Sequence, residues 1–205
     1  MVEYHVPKAD EFKDGARREF SFLLTEFEFK ESSPPFKYEN PYSVFFEKKG
    51  IFVYIEGLSY GFALGVDLGK IGILRTVKER FSLGYIVSLR KPELLEPRFP
   101  EKRGQLEEMK QSALHLKQCA SDFLSGDFTD LPRIKKFIEE QNILNRTQSE
   151  EAELHDIGIK ASKAFHSKNY KEVIELLQPI EQKLSKAQAM LLSQSKKRIN
   201  TGSIT

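Results

Sequence analysis

The chain has 205 residues, 40% hydrophobic and 30% charged, which supplies a core and excludes wholesale disorder. Its 32 basic and 30 acidic residues leave a net charge of +2, so no whole-molecule field steers it towards DNA or an anionic membrane. One cysteine, Cys119, rules out an internal disulfide framework, and no run approaches the ~20 apolar residues of a membrane span. The first residues lack the apolar stretch of a secretory signal, so a cytoplasmic location with no membrane partner is expected.

In chain order, residues 10–27 read as a helix with Asp10 as its N-cap. Phe12, Ala16, Phe20, Leu23, Leu24 and Phe27 fall in one stripe at 3.6-residue spacing. Phe22 lies off that stripe. Pro34-Pro35 interrupts the next apolar segment, because two prolines fix φ and remove two donors; a loop or sheet edge is expected there. Tyr42–Glu47, Ile51–Glu56 and Phe62–Leu68 then read as three antiparallel strands. Lys48-Lys49-Gly50 and Gly57–Gly61 are the turns. Leu64, Val66 and Leu68 alternate with Gly65 and Asp67, which predicts one core face. The middle strand is apolar on both faces, as suits the interior of a sheet.

A short helix is expected over 82–90, capped by Ser82, and Pro92, Pro97 and Pro100 mark an irregular linker after it. Leu106, Met109, Ala113, Leu116, Ala120, Phe123 and Leu124 keep a 3-4-3-4 spacing, and Gly126 suits the position just past a helix end. Leu131, Ile134, Phe137 and Ile138 form a short helix, and polar Gln148–Glu153 reads as a linker. Two helices meeting at Lys168-Asn169-Tyr170 follow, with Pro179 weakening the second. Ser185 and Gln188 form a capping box at the start of a last helix.

The fold class is therefore α+β. An N-terminal helix lies on a three- to four-stranded antiparallel meander, followed by an α-helical C-terminal half. A sheet domain is expected over 1–100 and a helical region over 101–205, packed together as one compact unit, with the last helix pair docked on the helix at 105–124.

Ala161, Phe165, Asn169-Tyr170, Val173, Leu177 and Ile180 resemble one tetratricopeptide-type helix pair. The order of YSVFFEKKGIFVYIE, GFALGVDLG, FSLGYIVSLRKPELL, DFLSGDF and NYKEVIELLQPIEQKLS is similar to a group of small bacterial proteins in the style of toxin-immunity proteins. That resemblance implies a partner that is another protein. Immunity proteins against nucleases are often acidic and this chain is slightly basic, which points away from a nuclease as the partner.

Candidate chemistry is sparse. His115 and Cys119 are four apart on one helix, but no further ligands accompany them, so no metal and no cofactor are expected. For the same reason Cys119 lacks the oriented base that a nucleophile needs. His155 and Asp156 are adjacent in a helix and do not face one another. Glu56 and Asp67 could meet across the meander as a carboxylate pair. Gly57-Leu58-Ser59-Tyr60-Gly61 has the spacing of a nucleophile elbow, but it joins antiparallel strands rather than a strand and a helix. Gly61, Gly65, Gly69 and Gly72 do not form a phosphate loop, because no Gly-Lys-Ser/Thr follows.

No catalytic residue is assigned. The expected function is protein–protein interaction, as an immunity-type or accessory protein of a bacterium. The expected surface is the sheet face away from the helix, around Tyr42, Phe52, Tyr54 and Tyr60, since aromatics anchor interfaces. The concave side of the C-terminal helix pair is the other candidate. The alternatives are an enzyme built from dispersed carboxylates and histidines, and a nucleic-acid-binding protein, which the scattered basic clusters favour less.

Overall fold

A computed structural model describes residues 7–36, 40–58, 63–95 and 104–202. The chain divides into two compact units, Met1–Ile138 and Glu139–Thr205, so the boundary expected near residue 100 does not coincide with the division.

In the first unit, α1 (Ala9–Glu19) and α2 (Phe22–Thr25) precede five strands. These are β1 (Lys30–Glu31), β2 (Ser43–Lys48), β3 (Ile51–Leu58), β4 (Ala63–Ile71) and β5 (Val77–Ser82), antiparallel in the spatial order β1-β2-β3-β4-β5. Then come α3 (Leu83–Arg90), α4 (Gln105–Cys119) and α5 (Ser121–Ser125). Helix α6 (Leu131–His166) starts in this unit and ends in the second. The α+β class stands, with five strands among the described residues rather than three or four.

Lys8, not Asp10, precedes the first helical residue, and its backbone N–H donates to the Glu11 carboxylate at 3.4 Å. Asp10 sits in the first turn, where a negative charge suits the helix dipole. The expected long helix breaks at Phe20-Ser21. The break shifts the phase of the stripe, so Phe12, Ala16, Phe20 and Leu23 are buried while Leu24 is 42% exposed. Off-stripe Phe22 stacks on Phe20 at 6.3 Å and meets the edge of Phe27.

The β2–β3 turn has Lys49 at φ 47° and Gly50 at φ 81°, the two positive values that a two-residue hairpin matched to strand twist requires. Ile51, Val53 and Ile55, with Leu64, Val66 and Leu68, face one core shared with Phe12, Phe20, Leu23, Met109 and Leu116. Strand β5 escaped the sequence reading because its apolar positions are diluted by Lys78, Glu79 and Arg80, charges that suit an exposed edge. Gly69 is needed where it stands. An added Cβ would strike the Glu79 carbonyl and the Phe52 ring. Leu64 is 5% exposed in this core, so Leu64→Ala is expected to cost about 2–5 kcal/mol in urea unfolding.

Ser82 caps α3 by accepting from the Gly84 N–H at 3.3 Å, as the sequence predicts. The stripe over 106–124 is interrupted at Ala120, and Gly126 closes α5 in the left-handed region at φ 94°. This stripe belongs to the sheet's core, which is why the first unit extends to Ile138. Gln148–Glu153 is not a linker but part of α6; its residues are good helix formers, and nearly all of 142–153 is exposed.

In the second unit, α7 (Tyr170–Leu177) and α8 (Lys186–Gly202) pack with the end of α6 around Ala161, Ala164, Val173, Leu177 and Leu192. Asn169 caps α7, and a 3-10 segment at Gln178–Lys183 takes up Pro179. Ser185 and Gln188 form the expected reciprocal capping box, at 2.8 and 3.3 Å. The apolar stripe of the last helix pair is thus covered by the third helix of its own unit. No helix among the described residues is long and apolar enough to cross a membrane.

Candidate interaction surface on the sheet

Side chains alternate across a strand, so the residues between the core positions form the sheet's outer face. They place Phe45, Phe52 and Tyr54 side by side, with Ser43, Glu56, Asp67 and Arg80 beside them. This face is itself packed. Phe45 stacks on Phe52 at 5.4 Å, and Phe36, from the segment after Pro34-Pro35, meets Tyr54 edge-on at 5.0 Å. Phe52 is 0% and Tyr54 3% exposed, so neither ring stands free as an interface anchor. Tyr42 is half-buried on the opposite side, edge-on to Phe12 at 6.0 Å. Tyr60 lies outside the described residues. Sequence periodicity assigned Phe52 and Tyr54 to the outer face, but the return of Phe36 over them carries no local signal.

Arg80 organises the polar end of this face. Its Nε donates to Asp67 Oδ2 at 2.6 Å and its Nη2 to Glu56 Oε1 at 2.9 Å. Its guanidinium also lies over the rings of Phe36 and Tyr54, at 5.0 and 5.3 Å. Burial disfavours the Arg80 charge, but Asp67 and Glu56 outweigh it and hold the group above the usual arginine value. Burial pushes the Tyr54 phenol up, with Ser43 and Glu56 as its polar neighbours. Glu56 and Asp67 therefore do meet across the meander, but through a shared guanidinium. Gly65 makes room for the Glu56 and Leu58 side chains.

Among the described residues, the outer side of β2 has one position without a strand partner. The backbone N–H of Gly57 donates to the Tyr42 carbonyl at 2.8 Å, so Tyr42, Val44 and Phe46 direct their backbone groups at β3. Ser43, Phe45 and Glu47 direct theirs the other way, towards β1. Lys30 pairs with Glu47, and the Ser32 N–H donates to the Phe45 carbonyl at 2.9 Å. One step further the register would set Pro34 opposite Ser43, and proline has no N–H to give. Strand β1 consequently stops after two residues, and the Ser43 backbone faces a groove of about 370 Å³. Lys13, Arg17, Pro34, Asn40 and Pro41 are among its walls. Arg17 is fixed there by Glu31, to which its Nη2 donates at 2.8 Å; this bond holds the Glu31 carboxyl below its usual range.

The other candidate residues are dispersed. Cys119 is buried, and burial pushes its thiol up, away from the reactive thiolate. His115 is half-buried on the same helix, and His155, Asp156 and His166 are exposed on α6. No group of three or more His, Cys, Asp or Glu positioned for a metal ion occurs among the described residues. Ser59, Tyr60 and Gly61 of the elbow-like pentapeptide lie outside the described residues, between two antiparallel strands. Compared with known proteins, the chain matches no family model, no curated protein and no solved structure.

Proposed function

We propose that the chain is a protein-binding module, an immunity-type or accessory protein of a bacterium, and that it takes an extended segment of its partner at the Ser43 end of β2, where the pairing with β1 stops. The observation that carries this reading is the interrupted β1–β2 pairing. Pro34 leaves the outward backbone groups of Ser43 without a strand partner among the described residues, beside a groove of about 370 Å³. An open strand edge with adjoining pockets is the surface on which strand addition occurs, with main-chain bonds giving affinity and the walls giving selectivity. Lys13 on the wall favours an acidic side chain beside it, while Arg17 is already paired with Glu31 and Asp14.

A proline at Ser43 tests the reading. The Ser43 backbone points outward, so Ser43→Pro removes the open donor while leaving the β2–β3 ladder intact. Affinity purification from the source cell, with nuclease added to remove bridging nucleic acid, is expected to recover a partner with the unaltered chain. Recovery is expected to fall at least about tenfold with Ser43→Pro, the scale of one or two lost main-chain bonds. Undiminished recovery with Ser43→Pro would remove the edge from consideration and move the surface to the C-terminal helices.

A further inference from the structure

The β4–β5 hairpin carries a feature that the sheet edge does not explain. The Arg75 N–H donates to the Gly72 carbonyl at 2.9 Å and the Gly72 N–H to the Thr76 carbonyl at 2.8 Å, with Arg75 left-handed at φ 55°. This turn puts Ile73 and Leu74 at its two central positions. Polar residues and glycine are the usual occupants there, and nothing in the backbone geometry calls for aliphatic ones. Ile73 is fully exposed and Leu74 86% exposed.

Cations gather around the same end of the sheet. The Ile71 N–H donates to the Gly50 carbonyl at 2.7 Å, which brings the Lys49-Gly50 turn beside the tip. Lys30, Lys48, Lys49 and Arg75 border one groove there, and the Lys78 stem runs over Gly72. Glu28 and Glu47 share that groove. Glu47 pairs with Arg75 at 3.1 Å and Glu28 with Lys48 at 3.7 Å. Lys30, Lys49 and Lys78 are exposed and form no ion pair among the described residues.

We infer that this end of the first unit is a docking surface for an anionic lipid bilayer, with Ile73 and Leu74 entering the interface and Lys30, Lys49 and Lys78 meeting the headgroup phosphates. An apolar wedge ringed by uncompensated lysines matches the two layers of such a surface, acyl boundary below and negative charge above. A nucleic acid would use the lysines but would leave two exposed aliphatic side chains without a role. The near-neutral charge of the whole chain argued against a membrane; the fold concentrates positive charge where the whole-chain sum hides it. This surface adjoins the groove beside Ser43, since Arg75 also donates to the Ser33 carbonyl at 2.7 Å, but Lys49, Ile73, Leu74 and Lys78 do not line that groove and their test does not depend on that reading.

The chain has no tryptophan, so Leu74→Trp introduces a single reporter at the tip. Its emission is expected to shift to the blue with vesicles of phosphatidylcholine plus phosphatidylglycerol, and to stay unchanged with phosphatidylcholine alone. In co-sedimentation, the unaltered chain is expected to bind the anionic vesicles, less so at high salt. Ile73→Ser with Leu74→Ser is expected to weaken binding at least about tenfold, and Lys49→Glu with Lys78→Glu by a similar factor. All four positions are exposed, so the fold is expected to tolerate these changes; equal melting temperatures check that. No binding to anionic vesicles overturns the inference. So does binding that survives the serine pair, or a tip that binds duplex DNA in preference to vesicles.

Discussion

Phe52→Ala is expected to lower unfolding stability by about 3–5 kcal/mol, the range for deleting a fully buried aromatic side chain. The ring is 0% exposed, stacked on Phe45 and met by Phe36 at 6.5 Å, and it occupies the space that Gly69 leaves by having no Cβ. Phe45 and Tyr54 cannot collapse into the hole, because each is fixed in the same aromatic cluster. Urea titration measures the effect as a lower midpoint at unchanged slope. The experiment also separates two roles for this residue. An exposed interface anchor would lose partner affinity on truncation and leave stability within about 0.5 kcal/mol. A midpoint that does not move would restore Phe52 to the interaction surface and place the burial of this face in error.

Arg90 carries the second large effect. It ends α3, and its guanidinium forks onto Asp122 at 2.8 and 2.7 Å, reaches Asp130 at 2.8 Å and donates to the Cys119 carbonyl at 2.6 Å. One side chain thus joins α3, the end of α4, α5 and the approach to α6, while lying over the Phe123 ring at 5.0 Å. The Asp122 hydrogen bonds, opposed by burial and assisted by Asp130, hold the guanidinium above the ordinary arginine range. Arg90→Ala leaves two carboxylates and a carbonyl without their donor. Removing one partner of a buried pair costs about 3–5 kcal/mol, and the 19% exposure of this side chain reduces that to about 2–4 kcal/mol. Arg90→Lys is expected to recover only a minor part, because one ammonium cannot serve both aspartates and the carbonyl in the planar geometry of the fork. A loss below about 1 kcal/mol for Arg90→Ala would class the network with ordinary surface ion pairs.

What the amino-acid sequence determined by itself is what depends on neighbours in the chain. Apolar alternation over Ile51–Glu56 and 62–68 specified strands, because side chains of a strand point to opposite faces whatever packs on them. Gly50 specified the hairpin turn, because glycine takes a positive φ at no steric cost. Ser82 and the Ser185–Gln188 box specified helix starts, because each supplies an acceptor to an unbonded N–H. The α+β class followed from these local rules.

Tertiary structure decided everything that joins residues distant in the chain. Phe36 returns over Phe45, Phe52 and Tyr54 and turns a face of aromatic rings from surface into core. Arg80 engages Glu56 and Asp67 from a strand too charged to be recognised by its periodicity. Pro34 reads in sequence only as an interruption; the β1–β2 register makes it the residue that leaves Ser43 open. The stripe of α4 fits any apolar surface equally well, and only packing assigned it to the sheet while α8 covered the last helix pair. The physical reason is common to these cases. Hydrophobic burial is strong but carries no direction, so periodicity states which side of an element is apolar and leaves its partner to the geometry of the whole fold.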